Sequence, residues 1–193
     1  MKFIVTLALL GALLSTSALA DDVTEAIQDG LEKYTSGKLS EAASQLDFAA
    51  TLIRQQKADH AKKILPEPLE GWTTQDTESS TTGDGIFGAV SVSRTYRHTV
   101  GGVIKELSIT IVSDSPMVQT MAMMLNNPMM ASISGGKYTK VGDQKIVIRT
   151  EGDQCSGMAM VDSRIMVTIE GAVPEEDILA YFKVIDFESL RNI

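Results

Sequence analysis

The sequence predicts an α+β protein: an N-terminal helical hairpin, then a six-stranded, meander-rich antiparallel sheet with two packing helices. Three observations carry that prediction. Apolar residues recur at helical spacing from Asp22 to about Leu65 and stop at Pro66 and Pro68. From Leu69 onward, short runs alternate apolar and polar residues, as half-buried strands do. Turn signals separate those runs at Gly101-Gly102, Gly142-Asp143, Gly152-Asp153 and Asp162-Ser163.

The first 20 residues read as a cleavable export signal. Lys2 supplies the positive start, residues 3–14 are almost wholly apolar, and Ala18-Leu19-Ala20 places small residues at the cleavage site before Asp21-Asp22. The expectation is export to the periplasm with cleavage after Ala20. The residue directly after that point is Asp21 and not a cysteine, so no acceptor for a lipid anchor is expected there. No later stretch approaches the roughly 20 apolar residues of a membrane span, so no stable membrane anchor is expected. The chain then divides into residues 1–20 as signal, 21–65 as hairpin and 66–193 as the sheet domain.

Within the hairpin, Val23, Ile27, Leu31 and Tyr34 recur at spacings of one helical turn, and Gly37 stands where that helix should stop. Ser40-Glu41 opens a second helix whose stripe is Leu39, Ala42, Ala43, Leu46, Ala49, Ala50 and Ile53. Gly30, Gly37, Leu39, Ala42, Leu46 and Ala49 fall at the glycine, turn and small-residue positions of one tetratricopeptide repeat, which residues 24–53 resemble. Tyr34 lies one place late for that pattern, and no second copy follows. Such repeats need about three units to bury a continuous core, so a solenoid is excluded. A lone hairpin must rest its stripe on the following domain or on another protein.

Six strands are predicted, over residues 90–96, 104–112, 137–141, 145–150, 154–161 and 164–170. Trp72 is expected to anchor the linker to the sheet, and residues 79–88, rich in Ser, Thr and Gly, read as a loop. Ser115-Pro116 starts a helix that runs to about Leu125 and breaks at Asn126-Asn127-Pro128. A last helix starts at Pro174, with Glu175, Glu176 and Asp177 in its first turn and Ile178, Leu179, Phe182 and Ile185 on its apolar side. With its Leu69–Trp72 entry "LEGW", this layout resembles small exported bacterial proteins of unknown function.

The formal charge of −8, or −9 once Lys2 leaves with the signal, argues against nucleic acid and anionic lipid as partners. Cys155 is the single cysteine, so no internal disulfide can form, and a lone thiol in an oxidising compartment is expected to be buried. His60 and His98 have no second histidine or cysteine at ligand spacing, which disfavours zinc. No G-x-S-x-G elbow or phosphate-cradling glycine loop is present. A Cys155–His98 pair is the one nucleophile–base combination left to consider. Arg94, Arg97 and Arg149 read as solvent-facing strand residues.

Methionines crowd one segment: Met117, Met121, Met123, Met124, Met129 and Met130, with Met158, Met160 and Met166 further on. On a helix, Met117, Met121 and Met124 share a core-like stripe while Met123 points away. A two-residue turn at Asp162-Ser163 would pair Met160 with Ile165 and Met158 with Val167 on an apolar face. Met166 would then lie on the other face, opposite Ala159. Core packing is the first reading, since methionine is an adaptable filler. Soft thioethers also select Cu(I), which makes Met121, Met123 and Met124 the alternative metal ligands. No enzyme activity and no cofactor are expected. The preferred reading is an exported adaptor that contacts a protein partner through Ile27, Leu31, Tyr34, Leu46 and Ile53.

Overall fold

The helical period of the first third builds two helices. In the computed structural model, which describes residues 15–81, 89–125 and 135–193, these are α1 (Ser15–Thr35) and α2 (Leu39–Ile64). Helix α1 begins earlier than the Asp22 start expected from its stripe, because residues 15–20 contain good helix formers and no breaker. Its end follows the glycine rule. Gly37 takes φ 76°, its N–H donates to Tyr34 O at 3.1 Å, and Lys38 N–H donates to Lys33 O at 2.9 Å. That pair of bonds closes the last carbonyls of α1 and turns the chain back.

Contacts divide the chain into residues 1–53 and 54–193, so the division falls inside α2, ahead of the Pro66 boundary the sequence suggests. The last turns of α2 belong with the sheet. Ala58, Ala61 and Leu65 are buried in the same apolar cluster as the strands.

The sheet has seven antiparallel strands rather than six: β1 (Trp72–Thr81), β2 (Val90–Val100), β3 (Val103–Ser113), β4 (Lys137–Val141), β5 (Gln144–Glu151), β6 (Gln154–Val161) and β7 (Ile165–Gly171). Their spatial order is β1-β2-β3-β7-β6-β5-β4. The additional strand is β1, whose sequence, WTTQDTESST, lacks the alternation that marks a strand. It pairs with β2 from Trp72↔His98 to Thr81↔Val90, with an irregularity between Thr74 and Thr77. An edge strand rich in β-branched threonine needs only its backbone ladder and one anchor. Trp72 is that anchor, buried with its ring 5.1 Å from His98 and edge-on to Tyr181 at 5.5 Å. Ser79, Ser80 and Thr81 therefore belong to β1; the rest of the expected loop, with Gly83, Gly85 and Gly88, lies outside the described residues.

Helix α3 (Pro116–Leu125) follows β3; α4 (Glu175–Val184) and a short α5 (Phe187–Arg191) close the chain. Helix α5 was not legible in the sequence pattern. Asp186 starts it by accepting from Ser189 N–H at 2.9 Å and from the Ser189 hydroxyl at 2.6 Å, and these bonds hold its carboxyl below the usual range. The expected break at 126–128 lies outside the described residues.

One sheet face carries the core. Val90, Val92, Tyr96, Leu107, Ile109, Ile111, Ile165, Val167, Ile169, Ala159 and Ile146 align across five strands, under Ile178, Tyr181 and Phe182 of α4. Cys155 is in this layer, buried as expected. Arg94 is there too, against the expectation of a solvent-facing side chain. Its guanidinium donates to Leu65 O and Pro66 O, both at 3.2 Å, and the Tyr96 hydroxyl donates to Pro66 O at 2.6 Å. These bonds tie the end of α2 and the linker to the sheet. Burial pushes the Tyr96 hydroxyl up to about 12 and raises Tyr181 further, so both phenols remain neutral, Tyr96 as a donor and Tyr181 accepting from Leu69 N–H at 3.5 Å.

Candidate functional site

The hairpin, residues 1–53, sorts its apolar side chains by size. Ala26, Gly30, Ala42 and Ala49 are buried, which lets the two helices approach closely. A Cβ at Gly30 would meet the Leu46 side chain at 2.9 Å. The large residues are left outside. Ile27, Leu31, Tyr34, Leu39, Leu46 and Ile53 are all exposed, from 41 % at Ile53 to 64 % at Leu39.

The single stripe expected on α2 is therefore two stripes. Ala42 and Ala49 form the seam, whereas Leu39, Leu46 and Ile53 stand about 50° round the helix, by the 3.6-residue period. On α1, Ile27 and Tyr34 are offset in the same way from Ala26 and Gly30. Each predicted contact residue lies on this outer line, and Leu39 extends it. The signal in the sequence was the size difference between the two sets, since small residues at one-turn spacing mark a tight helix seam. Phe48, also exposed, lies on the far side of α2 from Leu46.

Polar groups of the hairpin are mostly acidic: Asp21, Asp22, Glu25, Asp29, Glu32, Glu41 and Asp47 against Lys33 and Lys38. Both lysines approach Glu41, Lys33 at 3.3 Å and Lys38 at 3.9 Å. By helical period, Asp22, Glu25, Asp29 and Glu32 lie within about 40° of the line opposite Ile27, and Glu41 lies equally far from Leu46. The apolar line is flanked instead by Thr24, Gln28, Thr35 and Ser40, with Asp21 and Asp47 as its flanking carboxylates.

In residues 54–193 the second feature is the sheet face opposite the core. The chain from Val161 to Ile165 turns through Asp162 and Ser163, both at positive φ, and pairs Val161 with Ile165. Met160 then faces Met166, and Met158 faces Thr168. This corrects the expected register by one residue, and a one-residue slip exchanges the faces of a strand. Ala159 and Val161 enter the core in place of Met158 and Met160. Met158, Met160 and Met166 all project from the opposite face, Met166 buried and the other two half-buried. A cavity of about 180 Å³ beside them is lined by Tyr138, Asp143, Gln144, Lys145, Val147, Met158 and Met160.

The same face under β2 and β3 is polar and forms a shallow groove of about 650 Å³. Arg97 lies there and is occupied by Glu106, with Nε 2.7 Å from Oε1. In α3, Val118 and Ala122 are buried and Met117 is exposed; Met121 is half-buried. The side chains of Met123 and Met124 lie outside the described residues, as do Met129 and Met130.

The remaining chemistry-bearing groups are dispersed. Cys155 shares its cross-sheet row with Gly171, Leu107 and Tyr96, three strand spacings from β2, or about 14 Å from that strand. The thiol's neighbour is the Thr150 hydroxyl at 3.6 Å, while the His98 ring packs tilted at 36° against Trp72. A Cys155–His98 dyad is therefore out of reach. His60 is exposed on α2. Among the described residues, no three of His, Cys, Asp and Glu gather as metal ligands, and no helix is long and apolar enough to cross a membrane.

No family model matches this chain, and no curated protein matches it. A solved structure of a GTP binding regulator from Thermotoga maritima is similar at a TM-score of 0.42 and 9% identity, covering 66% of this chain and 86% of its own. That likeness is too low to carry fold or function across.

Proposed function

We propose that the chain is an exported, non-enzymatic binding module of the bacterial cell envelope that docks a protein partner through its hairpin. The observation that carries this reading is the outer apolar line of Ile27, Leu31, Tyr34, Leu39, Leu46 and Ile53, exposed on a hairpin that has already closed its own seam with small residues. Monomeric proteins rarely leave contiguous apolar patches of more than a few hundred Å² in water, and larger ones mark interaction surfaces. The export signal read from residues 1–20 supports the location. The test is capture from periplasmic extract by residues 21–193 and by a Leu31→Glu/Leu46→Glu variant. A partner retained by the wild type and lost by the variant is expected, while identical partner lists would overturn the reading.

A second reading is Cu(I) binding by thioethers. It is favoured by the shared face of Met158, Met160 and Met166 rather than by Met121, Met123 and Met124. Three soft neutral sulfurs side by side suit Cu(I) better than harder cations. Competition with a Cu(I) chelator in a Cys155→Ala background is expected to show one bound ion, lost in Met158→Leu/Met160→Leu. No uptake at micromolar metal removes this reading.

A further inference from the structure

We infer that the partner docked by the hairpin is the hairpin of a second copy of this chain. The inference rests on the docking reading above and goes further by naming the occupant. Leu39, Leu46 and Ile53 are seven residues apart, with Ala43 and Ala50 between them on the same side of α2. A seven-residue spacing of large residues, interrupted by small ones, is the pattern by which one helix seats knobs in another's holes. On α1, Ile27 and Tyr34 repeat the seven-residue step, with Leu31 between them. The face is thus built to receive helices, and it presents ridges and gaps of the same period that it would fill. A two-fold pairing of such a face completes a four-helix bundle without any other component.

Charge placement permits that pairing. Asp22, Glu25, Asp29, Glu32 and Glu41 would repel a second copy if they rimmed the apolar line. They lie instead on the backs of the helices, and the line is bordered by Thr24, Gln28, Thr35 and Ser40, with Asp21 and Asp47 as its flanking carboxylates. A cationic helix, the other chemistry an acidic hairpin could attract, would find few carboxylates beside the apolar contact. The size also fits. At 1.5 Å per residue, the line from Leu39 to Ile53 is about 21 Å long, and two helices side by side make a face roughly 20 Å across. Pairing two such faces removes on the order of 1,000 Å² of surface, near the lower limit for a specific interface, so micromolar self-association is expected.

Analytical ultracentrifugation of residues 21–193 over a concentration series tests this. Twice the monomer mass is expected at tens of micromolar, with little loss on adding salt because the contact is apolar. Leu31→Glu and Leu46→Glu should each weaken association by roughly 30-fold, as loss of a central anchor does. Asp29→Asn and Glu32→Gln, on the backs of the helices, should leave it unchanged. Circular dichroism confirms folding, and Leu46→Ala serves if a charged variant is perturbed. A wild type that stays monomeric at about 100 µM, well above a micromolar Kd, overturns the inference, as does a dimer untouched by these leucine variants. A monomer that still retains a periplasmic partner only when Leu31 and Leu46 are intact overturns self-pairing and leaves the docking reading standing.

Discussion

Gly171→Ala is expected to destabilise the protein by about 3 kcal/mol or more, the upper end of what overpacking costs. Gly171 ends β7, paired with Leu107 on one side and Cys155 on the other. A Cβ there would sit 2.2 Å from Glu106 O, 2.7 Å from Leu107 Cα and 2.9 Å from Leu107 Cβ. Two of those three atoms are backbone, held by the β3 ladder, so a rotamer change cannot relieve the overlap. For a chain of this size the loss should lower Tm by roughly 10 °C. Gly152→Ala is the matched control. Gly152 sits at φ 60° with nothing within 4 Å of an added Cβ, so only the left-handed backbone penalty of about 1 kcal/mol applies. Thermal and urea melts should rank Gly171→Ala well below Gly152→Ala, and the reverse order would refute the close-approach argument.

Phe182→Ala should cost roughly 3–5 kcal/mol, the range for emptying a buried aromatic site. Phe182 is fully buried on α4, and its ring lies parallel to that of Phe187 at 6.4 Å. It occupies the space that Gly157 leaves in β6. A Cβ at Gly157 would approach Phe182 Cε2 to 2.5 Å, Ile178 Cγ2 to 2.8 Å and Ile148 Cδ1 to 3.0 Å. Gly157→Ala alone should therefore destabilise, and it should cost less once Phe182 is shortened. A double-mutant cycle of Gly157→Ala and Phe182→Leu is expected to give a coupling of about 1 kcal/mol or more. Strict additivity would mean that the ring and the glycine do not share that space.

Both predictions depend on contacts that sequence pattern does not encode. Alternation placed β2, β3 and β5–β7 correctly in outline because a half-buried strand must put apolar residues on every second position. It missed β1, whose Thr-rich sequence is held by backbone pairing and by Trp72 at one end. It also placed Met158 and Met160 in the core, because Asp162-Ser163 was read as the whole of a two-residue connection. Pairing of Val161 with Ile165 changed the face of each methionine at once. The hairpin was more legible. Its outer residues were identified from periodicity alone, and what was missing was the division of one broad stripe into a seam of alanine and glycine and an outer line of large residues.

By itself, the sequence determined the fold class, the order of most elements and the residues of the hairpin's apolar line. Those properties follow from local periodicity, turn chemistry and the burial preference of each side chain. Only the tertiary structure decided the seventh strand, the inward position of Arg94 and the common face of Met158, Met160 and Met166. The strand and the arginine depend on partners far along the chain, and the methionines' common face depends on the register of the β6–β7 turn. Register and backbone carbonyl placement are set by the sheet as a whole, so no window of residues along the chain contains them.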